Sequence, residues 1–432
     1  MWKQPWGYRE AFAISVALVV IGVLFHFILG PIPAQGFAYP FNLIGGIWVF
    51  FLSVLLAVLA RKKVRIATFL TGYKMSIAAI ATLMAVSVIM GLTKQIELSA
   101  ASGEDLKMLV HTLGFSHILS TWYFLVSYLL LLILLGGATF AFILRGRKRN
   151  MTWGRYVSFL LNHLGLYIAL LAGVLGAHDL KRYRMQVDTS TNMPEWRGTK
   201  DFSSELYELP LAIELEAFEL EEYPPKLMII DSRTGETLPS GHPWHLSVEE
   251  TPSSGRTGAW KVEALEYLPY SSPVVSKDSI HFVEFGSTGA VHGVKVRATN
   301  SSTGEEVNGW VTSGSYLIPF RGLSLPDSLS IVMPDPEPKQ FRSKVSIYSP
   351  GGGYVKGEIS VNHPIKFEGW HIYQLSYDQE MGRWSNVSVF ELVKDPWMPF
   401  VYVGLLLMLL GAVCLFILPQ PTYVPSTKEN EL

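Results

Sequence analysis

The residue whose type and position most suggest chemistry is His163, in the stretch Leu161-Asn162-His163-Leu164-Gly165-Leu166-Tyr167. It sits inside an apolar run, eight residues past Arg155, which is roughly 12 Å along a helix axis. An ionisable side chain at that depth in a bilayer is costly, and by default it signals a partner or a pathway. Imidazole also binds iron axially through one ring nitrogen. From the residue alone two readings stand: a neutral histidine hydrogen-bonded to a neighbouring helix, and a ligand to a metal-bearing group. His26 falls near the far end of another apolar run, where a histidine reaches the interface. His117 and His178 are expected at the outer membrane surface, each either solvated or assisting a ligand there. His242 and His245, in Gly241-His242-Pro243-Trp244-His245, have the spacing of a metal pair but no further ligands nearby, and read as a surface loop.

Other chemistries find little support. Cys414 is the one cysteine and lies within the last apolar run, so it reads as a packing residue. No intrachain disulfide, thiol-exchange pair or covalent haem-attachment motif is available to the chain. Metalloprotease, serine-hydrolase and phosphate-loop signatures are missing, and the carboxylates of the long polar segment are scattered without a catalytic pair. A net charge of -1 gives no electrostatic reason to expect a nucleic-acid partner.

The elements that must position these residues are membrane spans. Charged residues are only 16% of the 432 and hydrophobic residues 49%, gathered into runs long enough to cross hydrocarbon. The runs are Ala11–Gly30, Phe41–Ala60, Met75–Leu92, Thr121–Leu144, Tyr156–Ala177 and Met398–Leu418. A cleaved signal peptide is the rival for the first, but its apolar stretch is longer than a signal core. Lys/Arg bias sets the orientation. Arg61, Lys62, Lys63, Arg65 and Lys74 follow run two, and Arg145, Arg147, Lys148, Arg149 and Arg155 follow run four. Both loops are therefore expected in the cytoplasm. The two termini go with them, and the large polar segment 178–397 is placed outside a bacterial cytoplasmic (inner) membrane, in the periplasm. In the outer loop, Leu106, Leu109, Val110 and Leu113 keep helical spacing, as a helix on the membrane surface or packed on the outer domain would.

The polar segment is built differently. Alternating stretches such as Leu211–Leu220, Lys226–Ile230, Trp260–Leu268 and Lys344–Tyr348 are separated by turn clusters, among them Gly351-Gly352-Gly353. Many short strands between turns predict an all-β sandwich or barrel-like domain, large enough to bury its own core. The expected fold is thus six transmembrane α-helices carrying one large extracytoplasmic β domain.

At this point the residues resemble a known family. The stretch from Val361-Asn362-His363-Pro364 through Phe367-Glu368-Gly369-Trp370-His371-Ile372-Tyr373-Gln374 to Ser376-Tyr377-Asp378 resembles the late signature of ResB (CcsB), the membrane subunit of system II cytochrome c biogenesis. Asp395-Pro396-Trp397 and the final helix with Tyr402-Val403-Gly404 follow as that pattern expects. Phe115-Ser116-His117 through Thr121-Trp122-Tyr123-Phe124 resembles the entry to the family's second core helix. Asn162-His163-Leu164-Gly165-Leu166 resembles the helix before its large domain, and Pro210-Leu211 through Pro225 the opening strands of that domain.

The resemblance divides the chain into a two-helix extension (1–73), a ResB-like three-helix core (74–177), a ResB-like periplasmic domain (178–397) and a closing helix with a cytoplasmic tail (398–432). It implies haem transport: a scaffold-like subunit of a haem lyase, working with a CcsA/ResC-type membrane partner to export haem and attach it to apocytochrome c. The cofactor implied is haem b, held transiently. His163 matches the family's proposed haem ligand within the membrane, and His117 is a weaker candidate for contact with haem. Lys94, Lys181 and Arg182 are placed to meet haem propionates or lipid phosphates at the outer surface. No catalytic residue is implied, and no metal beyond haem iron. The partner's tryptophan-rich motif is missing from this sequence, so attachment would require the second protein. An assembly protein in the membrane that never touches haem is the alternative.

Overall fold

Six helices of the computed structural model are long and apolar enough to cross a membrane, as the hydropathy runs require. The structure describes residues 5–32, 38–95, 113–146, 151–200, 205–276 and 279–418. The spans are α1 (Tyr8–Leu29), α2 (Phe41–Arg61), α4 (Tyr73–Leu92), α5 (Trp122–Arg145), α6 (Trp153–Gly176) and α7 (Met398–Ile417), with a short helix, α3 (Arg65–Leu70), after α2. The chain is a multi-pass membrane protein. Several helices begin before their apolar runs because the first turn tolerates polar groups that cap it. The Glu10 carboxylate accepts from the Gly7 N–H at 2.8 Å, and the Thr121 and Thr152 hydroxyls accept from Phe124 N–H and Arg155 N–H. Helices α1 and α5 stop at Gly30 (φ +73°) and Gly146 (φ +70°), where an L side chain would be strained. The helix expected over Leu106, Leu109 and Val110 lies outside the described residues.

Two compact units divide the chain. The first comprises residues 1–181 and 394–432 and holds all seven described helices. Lipid tails give no hydrophobic drive for one helix to seek another, so close packing depends on small residues. A Cβ added at Gly165 on α6 would lie 2.5 Å from the Gly404 carbonyl of α7, and one at Gly404 would lie 2.6 Å from the Gly165 carbonyl. Two turns along, Gly411 faces Asn162, and the Ser158 hydroxyl donates to the Gly411 carbonyl at 2.7 Å. Gly136 and Gly137 on α5 admit Ser53 and Leu56 of α2 in the same way.

The second unit, residues 182–393, is all-β and has two parts. The first is an antiparallel sheet of eight strands in the order β15-β14-β3-β2-β1-β18-β17-β16. These strands are β1 (Lys181–Asp188), β2 (Glu195–Lys200), β3 (Leu206–Glu222), β14 (Pro338–Tyr348), β15 (Tyr354–Ser360), β16 (Ile365–Phe367), β17 (Trp370–Tyr377) and β18 (Val387–Lys394). A bridge from Ser360 to His363 brings the two edges together, so the sheet is a nearly closed barrel. Its interior is filled by alternate residues, including Met185, Leu211, Ile213, Ile347, Trp370, Ile372 and Phe390. The second part packs two sheets over Leu227, Ile229, Val262, Val294, Val296 and Ile331. One sheet contains β4 (Lys226–Asp231), β5 (Thr237–Leu238), β6 (His245–Ser247), β12 (Leu323–Leu325) and β13 (Leu329–Val332). The other contains β7 (Ser253–Thr257), β8 (Trp260–Ser276), β9 (Ser279–Glu284), β10 (Val291–Asn300) and β11 (Glu306–Val311). Sandwich and barrel, alternatives in the sequence, are both present.

The glycine contacts make a direct prediction. Gly165→Val should wedge α6 from α7 and cost about 1–3 kcal/mol. Gly173→Ala, at a helical glycine with open space around its Cβ position, should be neutral or stabilising by up to about 1 kcal/mol. Thermal melting of the two variants in one detergent tests the contrast.

Candidate functional site

His163 lies on the part of α6 that packs between α5 and α7. Its Nδ1 is 3.0 Å from the Phe159 carbonyl one turn back, and the Phe159 ring stacks on the imidazole with centroids 3.7 Å apart. The bond requires a proton on Nδ1, which leaves the Nε2 lone pair for a ligand. Nε2 has no hydrogen-bond partner among the described residues. Phe142 packs on Phe159 in turn, so the ring is held by an aromatic column. A histidine ligand has its second nitrogen fixed by a carbonyl in the same way.

A second histidine site forms where sequence reading placed two separate residues. His26, near the end of α1, and His117, just before α5, have ring centroids 5.7 Å apart, and Tyr123 packs edge-on to His26. His117 was expected at the outer surface, yet it is 7% exposed and His26 6%. The difference arises because residues 113–121 fold back against the end of α1. The Ile32 N–H donates to the Ser120 carbonyl at 2.8 Å, and the Trp122 indole donates to the Gly30 carbonyl at 3.1 Å. Ser116 Oγ lies 3.2 Å from His117 Nδ1, while His26 Nδ1 is buried with no partner among the described residues. An orphaned ring nitrogen beside a second imidazole is a donor set that iron or another transition metal accepts. His163 makes no ring contact with this pair.

Sequence reading missed Asp179, which ties three helices at one end of the bundle. Its Oδ2 accepts from Asn42 Nδ2 of α2 and from the Trp397 indole that opens α7, both at 2.7 Å. Its Oδ1 accepts from the Tyr39 N–H at 3.0 Å, and Asn42 Nδ2 also donates to the Leu175 carbonyl of α6 at 2.7 Å. Burial pushes the carboxyl upward, but the bonds from Trp397, Tyr39 and Asn42 and the nearby His178 outweigh it and hold the group below the ordinary 3.8. His178 is exposed and lines a groove of about 650 Å³ with Lys181, Lys394, Trp397 and Phe400. Arg182 instead pairs with Glu391 at 3.6 Å, and Lys94 is exposed.

In the β unit, His242 and His245 are exposed, and no group of three potential metal ligands occurs among the described residues. A polar cluster lies elsewhere. His292 Nδ1 is 2.8 Å from the Tyr267 hydroxyl and its Nε2 3.1 Å from Glu222 Oε2. Both contacts are satisfied by one tautomer, with Tyr267 donating to Nδ1 and Nε2–H donating to Glu222. Arg383 places Nη1 3.2 Å from the same Nε2 and donates through Nη2 to the Pro269 and Ala290 carbonyls at 2.8 and 3.0 Å. Its guanidinium covers the Tyr270 ring at 4.5 Å. Burial raises the Tyr267 hydroxyl to about 12, so it is no nucleophile near neutral pH. Burial also lowers Arg383, while Glu222 draws it back. The cluster is a staple joining barrel strand β3 to the sandwich.

The signature stretch proves to be structural. Asn362 has φ +65°, and Glu368 and Gly369 (φ +46° and +81°) make a two-residue hairpin turn between β16 and β17. Trp370, Ile372 and Gln374 point into the barrel. Asp395 Oδ1 accepts from the Trp397 and Met398 N–H groups and caps α7.

Two outcomes test these assignments. The stabilising effect of Asp179 is complete above its unfolded value near 3.8 and is lost as pH falls through its lower folded value. Melting temperature in detergent should therefore drop on acidification below about pH 4, and Asp179→Asn should flatten that acid limb. Arg383→Met removes the cation beside Glu222 and the side-chain donor to the Pro269 carbonyl, while Ala290 keeps the Trp384 indole, and should destabilise the β unit by roughly 2 kcal/mol, or about 6 °C, by thermal melting.

Compared with known proteins, the chain matches the ResB-like family model over residues 326–387, which runs through β13 to the start of β18. No curated protein matches it.

Proposed function

We propose, from the ResB-like match over residues 326–387, that this chain is a haem-handling, scaffold-like subunit of a system II cytochrome c synthetase. It acts with a CcsA/ResC-type membrane protein to carry haem b across the cytoplasmic membrane and present it to apocytochrome c. The loops rich in Lys and Arg then face the cytoplasm, and the β unit lies in the periplasm. The match carries the reading; the geometry of His163 supports it. The Phe159 carbonyl fixes Nδ1–H, so Nε2 is the nitrogen that would meet haem iron. Bound haem iron would accept the imidazole nitrogen as a ligand, and any further ligand would come from the partner. His117, paired with His26, is a second imidazole site at the far end of the helices. Lys181 and Lys394 line a groove at that end with the charge to meet propionates.

One observation favours a second reading. The matched residues all lie in the β unit and none in the helices that carry the histidines. An assembly protein that holds the partner or apocytochrome without touching haem would also keep that barrel.

Purification with a CcsA/ResC-type partner separates the two. A haem absorption band should accompany the complex, and His163→Ala should weaken it while leaving the complex intact. Full haem content in that variant would remove His163 from the path. A complex that never carries haem would favour the scaffold reading.

A further inference from the structure

Four cations that serve in the sequence only as topology signals converge on one groove. It lies in the helical unit, where α2, α3 and α5 meet, and measures about 750 Å³. Arg61, Lys63, Arg65 and Arg145 line it, with Trp6 and Phe69 forming apolar wall. Those two rings pack edge to face at 5.5 Å. No carboxylate is among the lining residues, and the four cations make no ion pair or side-chain hydrogen bond with the described residues. Lys63 is held at φ +59°, a conformation costly for a side-chain-bearing residue. The turn between α2 and α3 thus places Arg61, Lys63 and Arg65 around one space.

Helix ends alone do not explain this. A basic residue in the last turn of α2 or α5 complements that helix's dipole, but Lys63 and Arg65 lie beyond α2. Four like charges gathered without a counter-ion among the described residues repel one another, and a bound anion would relieve that repulsion. The ends of the spans sit at headgroup depth, and the groove combines cationic lining with aromatic wall. Those are the requirements of a phospholipid: phosphate for the cations, acyl chain for the rings.

We propose that this groove binds an anionic phospholipid with two phosphates, whose charges match two pairs of cations. Haem, the other amphipathic dianion relevant to the chain, fits less well because no histidine, cysteine or methionine lines the groove to take its iron. The proposal does not depend on the haem reading.

The test uses the full chain in phosphatidylethanolamine nanodiscs, alone or doped with cardiolipin, and in discs doped with phosphatidylglycerol at equal charge. Native mass spectrometry of protein released from the cardiolipin discs should retain one cardiolipin, and melting temperature should rise over both other compositions. Arg61→Gln, Arg65→Gln and Arg145→Gln should each weaken retention roughly fivefold, the worth of one interfacial cation. Lys74→Gln and Arg155→Gln, which alter cations at the same end outside the groove, should leave it unchanged. Equal losses in all five variants would reduce the effect to general surface charge and overturn the site. Equal stabilisation by phosphatidylglycerol would overturn the two-phosphate assignment, and displacement of cardiolipin by added haem would assign the groove to haem.

Discussion

A helix bundle in hydrocarbon must satisfy its buried polar groups from within, because the surrounding lipid offers no donor or acceptor. Asp179 shows how far the arrangement depends on this. One carboxylate takes hydrogen bonds from Asn42, Trp397 and the Tyr39 backbone, and Asn42 reaches on to the Leu175 carbonyl. Segments distant in sequence are thereby held at one end of the bundle. The chain leaves that end after Asp179 and returns to it at Asp395-Pro396-Trp397. Glycine at 165, 404 and 411 completes the job, since only backbones in close approach let Ser158 reach Gly411.

Against that background the histidines stand out by degree of satisfaction. His292, in the β unit, is saturated: the Tyr267 hydroxyl and the Glu222 carboxylate occupy its two ring nitrogens. Its role is structural, and the raised Tyr267 removes the one group that a relay there would activate. His163 is half satisfied, with one nitrogen fixed and the other unengaged among the described residues. His26 keeps a buried nitrogen with no partner among the described residues. A polar atom left unsatisfied in a membrane bundle carries a cost that a metal-bearing ligand would remove.

The architecture was legible in the sequence to the extent that it rests on local pattern. Long apolar runs gave the six spans, and alternation gave strands such as Lys226–Ile230 within a residue of β4. Leu211–Leu220 and Trp260–Leu268 were each only part of a 17-residue strand, because bulges and polar edges interrupt the alternation. What local pattern did not reveal was burial by distant segments. His117 was placed at the outer membrane surface, solvated or assisting a ligand, and nothing local shows that its segment folds against α1 and buries it. Asp179 was passed over for the same reason: its partners lie 137 and 218 residues away. The quoted signature falls within the residues that match the ResB-like model, and its glycine, asparagine and tryptophan serve a turn and a barrel core.

This last point decides how much weight sequence likeness bears here. The match covers residues of the β unit alone, where Asn362, Gly369 and Trp370 are set by backbone conformation and packing. It is silent about the bundle, where the imidazoles and the cationic groove lie. The basic residues sharpen the contrast. Counted along the chain, Arg61, Lys63, Arg65 and Arg145 only orient spans. Once α2, α3 and α5 pack, the same charges enclose one volume beside Trp6 and Phe69. Orientation needs only their number and side of the membrane, whereas a ligand site needs their convergence, and convergence is supplied by the fold.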